Sequence, residues 1–355
     1  MEEKITAFLQ HEIDQKHIPG AVIQVNYKGE TVFEEALGQR IDYENEQEPM
    51  QMDTVFDLAS LTKVVATLPA ILKLIDTGEV YLGDKVTQFI PEFEKHGKEQ
   101  VTIQQLLTHT SGLTSHRRFY QENLNQEAIF QAIYDESLEY EPGSKVVYSD
   151  LGFILLRKIV EVVSGTAFEE FVHQEIFEPL EMTETTFLPD FPKERYAATE
   201  YDETLKAYKI GTVHDENTEA LGGISGHAGL FSTIVDLNHY VTMIENEGVY
   251  KNKRILSENA LRLAKQSFTS SLNEERGLGW QIKTGSQTPC GDYFSDQTYG
   301  HTGFTGTSIY FDPTVDLNVI LLTNRVHYGR HPEILRLRPR LHNLIRQSFN
   351  EENGR

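Results

Sequence analysis

Strand-forming patterns stand at the two ends of this chain, and helix-forming patterns fill the sequence between them. Residues 21–38 predict a β-hairpin, because two runs rich in β-branched residues flank Lys28-Gly29. Strand patterns return at 277–283, 307–312 and 317–324. These distant segments can bury their apolar faces together, so we predict one antiparallel sheet that joins both ends of the chain.

Helical patterns predict the rest of the architecture. One helix at the N-terminus and another, rich in arginine and leucine, near the C-terminus would cover the sheet. A helix is also predicted at 60–77, in which Pro69 should cause a kink or a local adjustment and Gly78 should mark the end. Further helices are predicted at 101–109, 151–165 and 168–177.

The predicted fold class is α+β. Residues 1–58 and 265–355 are expected to form a lobe built on the sheet, and residues 59–264 an inserted, mostly helical lobe. Together the two lobes would make one domain, with the active site between them.

Composition excludes several functions. The chain has 32 basic and 54 acidic residues, and the formal net charge of −22 disfavours nucleic acid or an anionic membrane as a partner. No apolar run is long enough for a membrane span. Cys290 is the only cysteine and no spacing such as HExxH occurs, so we expect no metal and no cofactor. Cys290 lies in a polar, loop-like stretch, which disfavours it as a nucleophile.

The N-terminus carries acids where a signal peptide carries bases. We therefore expect a cytoplasmic location for the chain as it stands, and an extracytoplasmic one if a leader has been removed.

Ser60 and Lys63 stand three residues apart in a mostly apolar stretch. On a helix these positions share a face, and the helix N-terminus favours a developing anion. Burial lowers the pKa of a lysine, so a neutral Lys63 could take the proton of a serine nucleophile. The pair alone is a weak signal, because both residues are common.

Two further stretches strengthen the signal. Tyr148 and Asp150 stand at the start of an apolar helix, where a packed aromatic ring and a helix N-cap are the simpler explanations. The stretch His301-Thr302-Gly303 leads into the strand at 307–312, and its glycines let the backbone pass close to a ligand or merely bend.

In order and spacing, these three stretches resemble the motifs of the serine β-lactamase and penicillin-binding protein superfamily. The class C β-lactamase-like branch is the most similar, because the phrases LLTHTSGL, GHAGLFSTIVDL and GHTGFTGTS also match it. That branch includes D-Ala-D-Ala carboxypeptidases, D-aminopeptidases and esterases. The resemblance extends over roughly residues 15–330.

The resemblance implies a role for each matched residue. Ser60 would be the nucleophile and form an acyl-enzyme, while Lys63 and Tyr148 share the proton transfer, with Tyr148 as base or relay. The backbone N–H groups of Ser60 and Phe304 would form the oxyanion hole. His301, Thr302 and Gly303 would line the opposite wall, near a carboxylate or polar tail of the substrate. The implied partner is a small molecule or peptide, such as a cell-wall fragment or a β-lactam.

Lys283-Thr284-Gly285 matches the family triad literally, yet its setting differs. Only His301-Thr302-Gly303 is followed by a second glycine and then by a strand. Lys283 is therefore predicted to be a hairpin residue outside the site.

Two departures from the family pattern argue against a dedicated β-lactamase. Asp150 replaces an asparagine and cannot donate a hydrogen bond to a substrate carbonyl. It could instead pair with Lys63 and stabilise the charged ammonium, which would move proton abstraction to Tyr148. His301 replaces a lysine, and its charge is expected to vary near a pH of about 6.5.

Three other residues are weaker candidates. Arg325 follows the strand at 317–324 and could bind a substrate carboxylate, although a surface arginine at a strand end is the favoured explanation. His214 and His227 lie in loops that could border the cleft, and structural roles are favoured for both.

Two functions remain open. The first is a serine hydrolase that acts through an acyl-enzyme on Ser60 and cleaves esters or D-amino-acid peptides. The alternative is a non-hydrolytic penicillin-binding or sensor protein that acylates but deacylates very slowly. A scaffold with a dead site is disfavoured, because Ser60, Lys63 and Tyr148 are all present.

Overall fold

An antiparallel sheet built from both ends of the chain organises the computed structural model, which describes residues 1–43, 46–122, 124–285 and 288–353. In pairing order its strands are β11 (Gln281–Ile282), β12 (Tyr299–Thr302), β13 (Ser308–Asp312), β14 (Leu317–Thr323), β1 (Gly20–Tyr27), β2 (Glu30–Tyr43) and β3 (Glu46–Pro49). The terminal halves join where Ala21 pairs with Thr323 and Tyr27 with Leu317. The predicted α+β class and the sheet of terminal strands are confirmed.

The hairpin between β1 and β2 turns at the predicted dipeptide. Lys28 and Gly29 have φ angles of 53° and 78°, and a tight hairpin turn with two positive φ values matches the twist of the flanking strands. The strand predicted at 277–283 is shorter than expected. Gly279 has a φ of 71° and its amide bonds to the carbonyl of Leu107, so the backbone turns before β11 begins.

Helices surround the sheet. They are α1 (Glu2–Asp14), α2 (Leu68–Asp76), α3 (Val86–Phe89), α4 (Ile103–Leu107), α5 (Gln126–Asp135), α6 (Asp150–Ser164), α7 (Phe168–Val172), α8 (Glu216–Ala220), α9 (Ile234–Glu245), α10 (Glu258–Ala264) and α11 (Glu333–Asn353). Within the described ranges, none of them has the length and apolar character that crossing a membrane requires.

The middle of the chain also contains short strands that the hydrophobic periodicity of the sequence does not predict. They are β4 (Phe56–Asp57), β5 (Thr186–Phe187), β6 (Tyr201–Asp202), β7 (Ala207–Tyr208), β8 (Leu230–Ser232), β9 (Val249–Tyr250) and β10 (Lys253–Arg254). In the small sheet β4-β8-β5, strand β4 ends directly before the Ser60 segment. Strands of two or three residues are too short to show an alternating pattern.

The two faces of the main sheet pack against different layers. Along β14, Val319 and Leu321 belong to the cluster formed with α1 and α11, whereas Ile320 and Leu322 belong to the larger core under the central helices. Because side chains of a strand alternate between its faces, this single strand joins the two layers.

The segment around Ser60 is helical but not uniformly α-helical. A 3-10 turn at Ala59–Leu61 and a π-helical turn at Lys63–Thr67 precede α2. Pro69 lies in the first turn of α2, directly after the π-helical turn, so the helical segment continues past the proline with a local change of helix type. Gly78, with a φ of 78°, follows the end of α2 as predicted.

Helix α6 depends on its buried face. Replacing Leu155, which is fully buried, by alanine is expected to reduce the free energy of unfolding by about 2–5 kcal/mol, because it leaves a cavity in the core. Urea unfolding measures the change. Val162→Ala on the same helix, at a side chain that is 48% exposed, should change it by less than about 0.5 kcal/mol. Equal losses from both variants would contradict this packing.

Candidate active site

Ser60 opens into a cleft of about 540 Å³ between the sheet and the helices. The lining residues that the sequence singled out are Ser60, Tyr148, His301, Thr302, Gly303, Phe304 and Arg325. Among the remaining lining residues are three further arginines, Arg276, Arg330 and Arg338, and the apolar side chains Pro332, Ile334 and Leu335. No acidic side chain lines this cleft in the described part of the chain, although the protein as a whole is strongly acidic.

The ammonium of Lys63 is fully buried and lies beside Ser60. It donates to Ser60 Oγ at 3.1 Å, to Asp150 Oδ1 at 2.8 Å and to the carbonyl of His227 at 3.1 Å. The same ammonium lies 4.9 Å from the ring centroid of Tyr148. A buried lysine is costly unless its charge is compensated, and here three acceptors and an aromatic ring compensate it.

Lys63 is a charged group rather than a neutral base. Burial acts to lower its pKa, but Asp150 and Tyr148 outweigh burial, and the pKa of Lys63 is raised. Burial acts to raise the pKa of Asp150, yet Lys63 and His116 hold it well below its usual range. Of the two states that the sequence left open for Lys63, a neutral base or an ammonium paired with Asp150, the contacts correspond to the second, because α6 places the carboxylate against the ammonium.

Tyr148 stands among cations and imidazoles. Besides Lys63, the guanidinium of Arg276 lies 5.5 Å from the ring centroid of Tyr148. The rings of His109 and His301 lie 4.4 Å and 5.9 Å away, centroid to centroid. The ring of Tyr148 therefore lies between two cations and two imidazole rings at the wall of the cleft.

His301 is a neutral residue of the cleft wall, and one of its ring nitrogens is buried without a partner in the described part of the chain. Its Nδ1 lies 2.9 Å from the carbonyl of Thr302, and only a protonated nitrogen can donate there. Nε2 is therefore bare, and it has no hydrogen-bond partner among the described residues. Burial, Lys63 and Arg276 hold the pKa of His301 well below its usual value. The expected change of charge near neutral pH is thus wrong.

Two threonines attach the turn after β12 to the segment before Ser60. Thr305 Oγ1 donates to the carbonyl of Asp57 at 2.7 Å, and Thr307 Oγ1 donates to the carbonyl of Leu58 at 3.0 Å. A Cβ at Gly303 would lie 2.1 Å from Thr307 Oγ1 and 2.4 Å from the carbonyl oxygen of Leu58, so glycine alone fits there. These contacts hold the turn that carries Phe304 at a set distance from Ser60.

Asp57 ties a third segment to this junction. Its fully buried carboxylate accepts from the amide of Ala59 at 2.8 Å and from the amide of His214 at 2.7 Å. Burial raises the pKa of Asp57. Ala59 itself has a φ of 46°, an unusual value for a residue with a side chain, and it directly precedes Ser60. Backbone strain of this kind often accompanies functional positions.

Arg325 lies at the cleft, but most of its donors are already engaged. Its Nε donates to the carbonyl of Phe304 at 2.9 Å and one terminal nitrogen donates to the carbonyl of His331 at 2.7 Å. Its guanidinium also stacks on the ring of Phe304, which His214 contacts through its own ring. Arg325 therefore supports the Phe304 turn in addition to lining the cleft.

His227, Lys283 and Cys290 do not line the cleft. The side chain of His227 is buried and bonds to Asp215 and Ser225, and only its main-chain carbonyl reaches Lys63. Lys283 follows β11 and donates to the carbonyl of Asp292 at 3.1 Å, as well as to that of Phe294. Cys290 is buried, and burial raises the pKa of its thiol, which disfavours a reactive thiolate.

Three residues near the site were missed by the sequence argument. His116 Nδ1 lies 3.6 Å from Asp150 Oδ2, and the nearby carboxylate raises the pKa of His116. Arg276 and Arg338 enter the cleft from a loop and from α11. Each is one arginine or histidine in a polar stretch without a motif, so only the folded chain shows its position.

The chain belongs to the β-lactamase family, whose model matches residues 5–342. It is 31% identical over 351 residues to a protein of Escherichia coli named "Putative D-alanyl-D-alanine carboxypeptidase", covering 87% of this chain and 79% of that protein. It is 32% identical over 347 residues to an N-acetylmuramyl-L-alanine amidase of Bacillus subtilis, covering 87% and 78%.

Solved structures show the same fold. The hydrolase EstCE1, described as having promiscuous acyltransferase activity, matches with a TM-score of 0.77 at 21% identity, covering 97% of this chain and 98% of that one. The octameric penicillin-binding protein homologue from Pyrococcus abyssi matches with a TM-score of 0.74 at 23% identity, covering 99% and 77%. The protein is thus a serine hydrolase of the β-lactamase type, a class that acts on small molecules or peptides.

The charge of Lys63 should depend on Asp150. Asp150→Asn removes the carboxylate that raises the pKa of Lys63, so Lys63 should lose its proton at lower pH and the alkaline limb of kcat/KM should move to lower pH. Loss of the charged hydrogen bond should also reduce the free energy of unfolding by about 1.5–3 kcal/mol. A pH–rate profile and urea unfolding measure the two effects.

The control is an exposed pair of the same chemistry. Lys95 and Asp135 lie 2.6 Å apart on the surface, and Asp135→Asn should leave the pH profile unchanged. An unchanged alkaline limb in Asp150→Asn would show that Lys63 does not control it.

Proposed function

We propose that this chain is an acyl-enzyme hydrolase in which Ser60 is the nucleophile and Tyr148 the base. Ser60 Oγ attacks the substrate carbonyl carbon while Tyr148 takes the hydroxyl proton, and Tyr148 then passes that proton to the leaving group. Water releases the acyl group by the same route in reverse. The N–H groups of Ser60 and Phe304 receive the charge on the carbonyl oxygen.

The assignment of Tyr148 as the base is supported by the protonation state of Lys63. An ammonium held by Asp150 has no free electron pair with which to accept a proton, so it serves as a donor to Ser60 Oγ and a counter-charge for Tyr148. We assign the proton to Tyr148, whose ring lies 4.9 Å from the Lys63 ammonium that contacts Ser60. Asp150, which the family often replaces by asparagine, thereby determines which residue acts as base.

The arginines of the cleft favour a substrate that ends in a carboxylate. Four arginines line a cleft that has no acidic side chain among its described lining residues. Arg276 and Arg330 are ion-paired with glutamates outside this lining, and Arg338 bonds to main-chain carbonyls. Arg325 keeps one terminal nitrogen for a substrate carboxylate, since its other contacts use Nε and the second terminal nitrogen. Guanidinium groups suit carboxylates, and a positive cleft concentrates anions. The relative named for D-alanyl-D-alanine carboxypeptidase activity agrees with this chemistry. We therefore propose D,D-peptides with a free C-terminal carboxylate as substrates, ahead of neutral esters.

Hydrolysis of diacetyl-L-lysyl-D-alanyl-D-alanine, compared with its C-terminal amide, tests the proposal. The acid should be cleaved with a kcat/KM about tenfold to a hundredfold higher, the equivalent of one hydrogen bond to a charged group. Ser60→Ala should abolish the cleavage of both, whereas Ser271→Ala, at an exposed serine, should not change it. Equal cleavage of acid and amide would contradict the carboxylate preference.

Intact-protein mass spectrometry with benzylpenicillin tests the alternative function, a penicillin-binding protein that acylates but deacylates very slowly. A stoichiometric adduct that persists, with no peptide turnover, would mean a penicillin-binding sensor rather than a hydrolase. An adduct that also forms on Ser60→Ala would exclude Ser60 as the nucleophile.

A further inference from the structure

Arg338 is a buried cation without an acidic partner. Its side chain is 4% exposed, and within the described residues no ion pair joins it to a carboxylate. Burial lowers the pKa of Arg338 to about 10, so it stays protonated at neutral pH. Buried charges are normally paired, because their desolvation is costly. The charge of Arg338 is compensated instead by contacts with main-chain carbonyls.

Those carbonyls belong to the turn that carries Phe304. One terminal nitrogen of Arg338 donates to the carbonyl of Thr307 at 2.8 Å and to that of Gly303 at 3.1 Å. The amide of Gly306 donates to the Gly303 carbonyl as well, at 3.1 Å. The Gly303 carbonyl thus accepts two hydrogen bonds, one of them from a full positive charge.

The Gly303 carbonyl and the Phe304 N–H are two ends of one peptide unit. In a planar trans peptide these groups point in opposite directions, so holding the carbonyl sets the direction of the N–H. The Phe304 amide has no hydrogen-bond partner among the described residues. A donor on the carbonyl side also polarises the peptide and strengthens its N–H as a donor.

We propose that Arg338 is a positioning residue for the oxyanion hole: through the Gly303 carbonyl it orients and polarises the peptide whose N–H, at Phe304, stabilises the tetrahedral intermediate. The proposal rests on the proposed function, since it requires a Ser60 acyl-enzyme. It explains why a helix from the far end of the chain places an unpaired guanidinium behind the turn. Arg325, in contrast, bonds to the carbonyl of Phe304, which belongs to the next peptide unit.

The effect should appear in the transition state and not in substrate binding. Removing a whole oxyanion-hole donor lowers kcat by roughly 10²–10³, and weakening one should lower it by about 10–100-fold. We therefore expect Arg338→Gln to lower kcat by about that factor for p-nitrophenyl acetate, with little change in KM. Arg338→Lys keeps the positive charge but lacks the planar guanidinium group with its several N–H donors. We therefore expect its kcat to lie between those of Arg338→Gln and the wild type.

Phenylboronic acid provides a second readout. Ser60 Oγ adds to boron, its proton passes to the base, and the tetrahedral boronate carries the negative charge that the oxyanion hole binds. The dissociation constant of this adduct should rise in Arg338→Gln by a factor similar to the loss in kcat. Arg336→Gln, at an exposed position on the same helix, should leave kcat, KM and boronate binding unchanged.

Several outcomes would overturn the proposal. A folded Arg338→Gln variant with wild-type kcat and boronate affinity would do so. So would a loss confined to carboxylate substrates and expressed in KM, because Arg338 would then bind the substrate directly. If Arg338→Gln does not fold, kcat and boronate affinity are measured on Arg338→Lys instead, and wild-type values of both would overturn the proposal. Ester turnover that persists in Ser60→Ala would instead refute the proposed function, independently of Arg338.

Discussion

The buried ammonium of Lys63 is the interaction on which the site depends. It draws together the π-helical turn that carries it, the start of α6 through Asp150, and the loop before β8 through the carbonyl of His227. A charge in a dry core must be fully compensated, so each of these segments must be in place for the chain to tolerate it. The same packing that compensates the charge of Lys63 also places Ser60 and Tyr148 beside it.

A second set of contacts connects this centre to the sheet. The hydroxyls of Thr305 and Thr307 bond to the backbone directly before Ser60, and Gly303 permits the close approach. Helix α11 contributes Arg338, which donates to the carbonyl of Gly303. The site is therefore a junction of segments from the start, middle and end of the sequence, held chiefly by hydrogen bonds to main-chain carbonyls. Such bonds define the direction of peptide groups, which is what an oxyanion hole requires.

Much of the fold could be predicted from local patterns. The hairpin at 21–38, the strands at 307–312 and 317–324 and the helix after Asp150 all have periodicities long enough to recognise. The two-residue strands, the π-helical turn and the early turn at Gly279 leave no such pattern. The division into lobes at residues 1–58, 59–264 and 265–355, and the roles of the individual site residues, stay predictions that activity and stability measurements will decide.

The sequence by itself determined the family, the fold class and the identity of the chemical groups, because motif order and alternating patterns are properties of the chain. Only the tertiary structure decided the protonation of those groups. Lys63 is charged despite its burial because Asp150, far away in sequence, raises its pKa, whereas burial, followed by Lys63 and Arg276, lowers the pKa of His301 and keeps it neutral. Proton affinity depends on burial and on nearby charge, and both arise only when distant segments pack together.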